Sequence, residues 1–321
     1  MTERTPGDRA PETAAGERSP APRRHGERGD RVCRGLVPNL GLRVVFARVG
    51  DTARMSRVLH GLYPTSARLF AEALAAGALL GALQKDENRV NLQLECDGPL
   101  GGLFVDADVA GNVRGYVRHP RVSFPGDAAL GARAALGGRG FLSVVREVGA
   151  GNFYRSAVEL EALDLAGDLR RWFAASEQVA TALDLAVVPR GDEPLGDVAG
   201  LLVQRLPDGD GAAVEEVRAR LAAGALARAV AAGASAQDAI RAVVGDGFEL
   251  LGDLELAYRC GCSQERARVA VSALGREGIA DVLAKERQAV ITCEFCRSRY
   301  VVPEAELRDL ARRLAERDGD A

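Results

Sequence analysis

Four of the chain's six cysteines fall within a single short stretch, as Cys260-Gly-Cys262 and, thirty residues further on, Cys293-Glu-Phe-Cys296. Thiolate is a soft ligand, and two converging sulfur pairs make a tetrahedral four-thiolate site. That is the usual geometry of structural Zn²⁺, with bonds of about 2.3 Å. Gly261 lets the first pair close around a tight turn. The second pair lies between two β-prone runs, Ala289–Thr292 and Arg299–Val302, which puts it at the tip of a hairpin. The spacing therefore predicts one Zn²⁺ per chain, held by Cys260, Cys262, Cys293 and Cys296. Four thiolates saturate the ion, so the site is structural rather than catalytic.

Other chemistries fit the same residues less well. Two structural disulfides need an oxidising compartment. A catalytic zinc needs an open position or a nearby histidine, and His25, His60 and His119 are scattered and read as surface or structural residues. A thiol-disulfide oxidoreductase built on Cys293 and Cys296 would need a βαβ context, and a zinc-ribbon nucleic-acid adaptor would need more positive charge. Residues 253–302 carry eight basic against seven acidic side chains, a net of +1. Both remain as alternatives. Cys33 and Cys96 stand alone and read as inert thiols.

The elements that must position the cysteines follow from local pattern. Ser263 can cap a helix running to about Leu274, Gly275 can end it, and Glu277–Glu286 makes another. Upstream, Leu42–Arg48 reads as a strand and Pro64–Gln84 as a helix, with Ala73–Leu83 an uncharged Ala/Leu stretch. Asn91–Cys96 alternates with period two, Leu103–Ala107 follows a Gly-Pro turn, and Ala110-Gly-Asn112 turns the chain into Val113–Val117, an antiparallel meander. Strands at Phe141–Glu147 and Ser156–Leu160, a helix around Ala166–Ala175 and a loop at Ser176–Gln178 complete an α+β core domain over residues 31–200.

Residues 201–252 are predicted to form a helical, metastable linker. Thirteen of the 29 residues from 212 to 240 are alanine, so helix propensity is high while each side chain buries little area. Residues 253–302 form the small four-cysteine zinc domain, and 303–321 a C-terminal helix or tail. Residues 1–30 balance six arginines against six acids and contain no Val, Ile, Leu or Phe, so a disordered tail is expected.

Whole-chain composition sets the outer limits. The 321 residues carry 42 basic and 45 acidic side chains, a charge of −3, which disfavours a dedicated nucleic-acid binder. All the basic residues except Lys85 and Lys285 are arginine, which reads as coding bias. With 47% hydrophobic residues a real core is possible. The run Ala73–Leu83 is far short of the roughly 20 residues a bilayer needs, so no membrane association is expected. The N-terminal stretch has no apolar signal segment, which points to a reducing cytoplasm.

Taken together, these residues resemble the heat shock protein 33 family, also called HslO. The resemblance is carried by Cys260-Gly-Cys262-Ser263, Leu274-Gly275, Cys293-Glu-Phe-Cys296 with Tyr300, and upstream by Gly98-Pro99, Asp106-Ala-Asp108, Gly111–Tyr116 and Ser176-Glu-Gln178. It covers about residues 31–302 and implies a chaperone, not an enzyme. Such a protein is inactive when reduced and zinc-bound and, once oxidised, holds unfolding or oxidatively damaged proteins without ATP. No GxxxxGK[ST] stretch is present, in agreement. Under this resemblance Cys260, Cys262, Cys293 and Cys296 are also the redox-active residues, and oxidation is expected to pair Cys260 with Cys262 and Cys293 with Cys296. Zinc would then leave and the linker unfold, with a reduced monomer becoming an oxidised homodimer.

Overall fold

The computed structural model describes residues 29–85, 88–126, 128–149 and 151–319. The chain opens with β1 (Arg31–Val37), β2 (Leu42–Arg48), α1 (Gly50–His60) and α2 (Pro64–Ala82). A meander follows, β3 (Arg89–Cys96), β4 (Gly102–Asp108) and β5 (Asn112–Val117), then α3 (Ala128–Leu136), β6 (Gly140–Glu147), β7 (Phe153–Glu159) and α4 (Leu165–Trp172). A long hairpin, β8 (Thr181–Arg190) and β9 (Glu193–Arg205), precedes three helices, α5 (Gly211–Ala222), α6 (Ala225–Ala231) and α7 (Ala236–Val244). Then come β10 (Glu249–Glu255), β11 (Ala257–Tyr258), α8 (Gln264–Ser272), α9 (Gly275–Lys285), β12 (Gln288–Thr292), β13 (Arg299–Pro303) and α10 (Glu304–Gly319).

The expected α+β class holds. The strands form a five-stranded sheet ordered β10-β1-β2-β9-β8, a six-stranded sheet ordered β11-β5-β4-β3-β6-β7, and the separate β12-β13 hairpin. Helix α2 begins with Pro64, whose fixed φ and missing N–H suit a first turn. It is apolar all round except for the Arg68–Glu72 ion pair near its start, and 16 of its 19 residues are buried. Such a helix needs apolar partners all round, and it finds them by lying between the two sheets, in one core with Leu92, Val105, Leu183 and Val198.

The second face of the five-stranded sheet, with Val44, Phe46, Leu201 and Val203, is covered by α5, α6 and α7. The cover is made by the larger side chains among the alanines: Val214, Val217, Leu221, Leu226, Val230, Ile240 and Val243 are all buried against it. Burying a Val, Leu or Ile is worth about 1.5–3 kcal/mol, so these residues, rather than the alanines, fasten the layer. Side chains add polar ties: Arg48 on β2 donates to the Ala234 carbonyl at 2.7 Å, and Arg218 on α5 to the Thr181 carbonyl at 3.0 Å.

Several expected boundaries move. A core ending at residue 200 would cut β9, whose pairing with β2 runs on to Arg205 opposite Leu42. Residues 249–255, placed in the linker and zinc domain by pattern, form β10, antiparallel to β1. At the C-terminus, α10 is part of the four-cysteine module, because Leu307 joins Val271, Ile279, Ala289 and Val302 in its small core. The expected loop at Ser176–Gln178 is instead the end of a π-helical turn over Phe173–Glu177, closed by Gln178 in a left-handed conformation, with Glu177 paired to Arg146. The expected disordered tail lies outside the described residues up to position 28. Asp30, assigned to it, is buried and accepts the N–H groups of Asp51 and Thr52 at 3.0 and 2.6 Å, capping the first turn of α1.

Candidate metal centre

The chain reaches the cysteines by stitching both sheets together. After β10 completes the five-stranded sheet, β11 adds to the other sheet, parallel to β5, with Ala257 opposite Asn112 and Tyr258 opposite Val113. This docking needs a close approach at the β4–β5 turn. Gly111 has φ +81°, its carbonyl accepts the Ala257 N–H at 3.0 Å, and a Cβ there would meet the Glu255 carbonyl oxygen at 2.5 Å. Only glycine satisfies both demands.

Cys260 and Cys262 follow directly, and the Ser263 hydroxyl accepts the Arg266 N–H at 3.2 Å to start α8. Cys293 and Cys296 occupy the tip of the β12-β13 hairpin. There the Cys293 carbonyl accepts the Arg297 N–H at 2.8 Å, and Arg297 itself takes φ +57°. The hairpin and the two helices were legible in the sequence, and they bring the four predicted residues together. The four Sγ atoms lie within 4.8 Å of one another. Cys260 and Cys293 sulfurs are 3.6 Å apart and those of Cys262 and Cys296 3.1 Å, so the nearest neighbours run across the two motifs. Sulfurs 2.3 Å from a tetrahedral ion stand about 3.8 Å apart, so the donor set fits one zinc.

The surroundings bear on the thiols. The Tyr300 hydroxyl is 2.9 Å from Cys262 Sγ, the Ser298 hydroxyl 3.2 Å from Cys296 Sγ, and Arg114 reaches from β5 to 3.8 Å from Cys260 Sγ. Burial pushes the thiols of Cys262 and Cys293 up. Burial acts the same way on Cys296, but its hydrogen bonds with Ser298 and Cys262 outweigh it and bring that thiol to about 7. The two remaining cysteines lie elsewhere. Cys33 is buried on β1, where desolvation and Asp253 push its thiol to about 12, and Cys96 ends β3. Neither joins the cluster.

Two side chains that the sequence did not single out lock the module to the core. The Tyr258 hydroxyl donates to the Gly115 carbonyl at 2.8 Å, lies 3.3 Å from the Gly115 N–H and 3.2 Å from His60 Nε2, and also meets the Phe295 carbonyl. Phe295, between the paired cysteines, rests on Phe104 and Tyr116 of the six-stranded sheet. A tyrosine two residues before a CxC pair and an apolar residue inside CxxC were the available signals. Their partners are long-range and could not be read. His60 is a structural histidine, packed edge-on to Phe70 with ring centroids 5.9 Å apart.

Comparison with known proteins decides the family. The family model described as Hsp33 protein matches residues 30–303. The chain belongs to the Hsp33 family. The 33 kDa chaperonin of Geobacillus kaustophilus is 31% identical over 294 residues, covering 90% of this chain and 100% of that one. That of Geobacter sulfurreducens is 34% identical over 265 residues, covering 82% and 87%. The crystal structure of the 33 kDa chaperonin (Hsp33) of Thermotoga maritima superposes with a TM-score of 0.81 at 25% identity, covering 89% of this chain and 99% of that one. Hsp33 proteins are chaperones and not enzymes, which removes the oxidoreductase alternative. Among the described residues no helix is long and apolar enough to cross a membrane.

Proposed function

We propose that this chain is a redox-controlled holdase that works without ATP in the reducing cytoplasm. In the reduced state Cys260, Cys262, Cys293 and Cys296 hold one Zn²⁺ and the chaperone is silent. The observation that carries this reading is the position of the four sulfurs at the junction between a module with a very small core and the two sheets it is stitched to.

The energetics follow from size. Five buried side chains cannot hold a module of this length folded alone, whereas zinc bound to four cysteines contributes roughly 10–16 kcal/mol of folding energy. An oxidant such as peroxide converts a thiolate to sulfenic acid. A neighbouring thiolate attacks the sulfenic sulfur and displaces hydroxide, which takes a proton from solvent, so that a disulfide forms and two ligands are lost. The metal then leaves, the module and β10 lose their order, and α5–α7 lose the anchor at their C-terminal end. Their departure uncovers the Phe46, Leu201 and Val203 face of the five-stranded sheet for unfolded or oxidatively damaged clients. The bare face also suits a second copy, so a reduced monomer becomes an oxidised homodimer. Neither nucleic acid nor membrane is part of this reading.

The pairing expected on oxidation is Cys260 with Cys262 and Cys293 with Cys296. In the folded module the shortest sulfur separations cross the motifs, but in an opened chain the smallest loops lie within them and close at least entropic cost. Within-motif bridges therefore require the module to open before the second one forms. The test is aggregation suppression of a thermally unfolding client before and after peroxide, with zinc release followed in parallel and the bridges mapped by mass spectrometry. Full client holding by the reduced, zinc-loaded protein would refute the reading.

A further inference from the structure

Period-two alternation sends Phe104 and Asp106 of β4, and Arg114 and Tyr116 of β5, to the face of the six-stranded sheet turned away from α2. The strand register sets Phe104 opposite Tyr116 and Asp106 opposite Arg114. The two rings stack, with centroids 5.7 Å apart and planes 12° from parallel. Phe295 meets both edge-on, at 5.7 and 5.5 Å, and the Arg114 guanidinium sits 4.3 Å from the centroid of its ring. Arg114 is itself held by the buried carboxylate of Asp106, Nε to Oδ2 at 2.8 Å, while Asn91 and Arg89 take that carboxylate's other contacts. The slot is thus a rigid receptor for one aromatic ring: two rings for its edge and a fixed cation for its face.

The slot does not end at Phe295. A cavity of about 270 Å³ continues from it across β3 to β6 and β7, past Val145 and Glu147 to Phe153. Phe153 stands 66% exposed on the edge strand, without apolar cover. The floor crosses four neighbouring strands, β4, β3, β6 and β7, roughly 14 Å at about 4.8 Å per strand and so the reach of about four extended residues, and its Phe104 end is filled by a side chain of the redox module.

We infer that the outer face of the six-stranded sheet is a second client-binding groove, selective for aromatic side chains, and that Phe295 is its built-in competitor. The inference rests on the holdase reading above. It places a binding site on the sheet opposite to the one that α5–α7 cover. When the module leaves, Phe295 leaves with it, and an aromatic residue of an unfolded chain takes its place between Phe104, Tyr116 and Arg114. The rest of the segment lies along the groove toward Phe153. The four thiolates are not part of the slot, so emptying it by mutation leaves the metal ligands in place.

The test uses the full-length protein and two short fluorescent peptides that differ only in carrying phenylalanine or leucine. Reduced Phe295→Ala, with zinc content measured, should bind the phenylalanine peptide about tenfold more tightly than the reduced parent, the scale of one edge-to-face and one cation–π contact. The leucine peptide should gain much less, and Phe104→Ala added to Phe295→Ala should erase the gain. No gain, or an equal gain for both peptides, overturns the inference. Should Phe295→Ala lose its zinc, the oxidised parent and oxidised Phe104→Ala decide the matter instead: the parent must prefer the phenylalanine peptide and the variant must lose that preference. An oxidised parent that binds the phenylalanine peptide but does not suppress aggregation would sink the holdase reading and leave the groove standing.

Discussion

Arg48 reaches from β2 through the apolar layer to donate a hydrogen bond to the Ala234 carbonyl at 2.7 Å, tying the turn between α6 and α7 to the strand beneath it. Its side chain is almost fully buried, with the guanidinium beside Phe46. The bond satisfies a carbonyl of the turn between two helices, in a layer held mostly by contact.

Replacing that tie should loosen the cover. Arg48→Met keeps the apolar stem and removes the donor, at a cost of about 1–3 kcal/mol for the stranded carbonyl, which opens α6 and α7 roughly tenfold more often. Hydrogen exchange should show faster exchange in residues 225–244 with α2 unchanged, and less peroxide should switch the variant on. Unaltered protection in those helices would mean that apolar contact alone holds them.

Metal binding should depend on four cysteines and be indifferent to two. Cys262→Ser should weaken zinc binding at least about a hundredfold, since one of four ligands is lost. Cys33→Ser and Cys96→Ser should retain one zinc per chain in a chelator competition assay. Full metal content in Cys262→Ser would contradict the four-thiolate site.

The core should fold without its switch, provided the cut respects β9. A fragment of residues 29–206 keeps every strand of both sheets except β10 and β11 and should melt cooperatively. One ending at residue 200 severs the β2–β9 pairing and should melt lower or fail to fold. The longer fragment exposes the sheet face around Phe46 and should self-associate, as analytical ultracentrifugation can show.

His60 should make the module's docking sensitive to acid. Burial, with Arg297 adding repulsion, lowers its imidazole from 6.5 to about 4. A depressed folded value means that its contribution to stability is complete above pH 6.5 and is lost as pH falls toward 4. Asp30 and Glu72, raised to about 6 and about 7 by burial, act with the opposite sign and lose their contribution as pH rises through those values. The informative quantity is therefore the difference in Tm between the parent and His60→Gln, which should shrink steadily from pH 7 to pH 4.5. A difference independent of pH would assign no role to this imidazole.

Much of this was legible in the sequence because local pattern decided it. Leu42–Arg48 matches β2 residue for residue, and the β3–β5 meander, α2, α8 and α9 follow their alternation, caps and glycines. The four cysteines needed only their spacing. The elements that were missed owe their form to distant partners. Glu249–Glu255 reads as an acidic, glycine-broken stretch and becomes a strand because β1 offers an unpaired edge. Glu304–Gly319 reads as a helix or tail and forms the helix α10, but nothing local shows that it carries Leu307 into the module's core. Tyr258 and Phe295 show nothing unusual until Gly115, Phe104 and Tyr116 come beside them from more than a hundred residues away.

The placement of β10 and β11 has a consequence for recovery. Each is the outermost strand of its sheet, so removing residues 249–258 leaves β1-β2-β9-β8 and β5-β4-β3-β6-β7 in unbroken order. On the proposed redox cycle, nothing would need to be threaded back between strands when the thiols are reduced again. The proposed switch would sit on the perimeter of the molecule and would be reset by zipping two edges closed without disturbing the scaffold inside them.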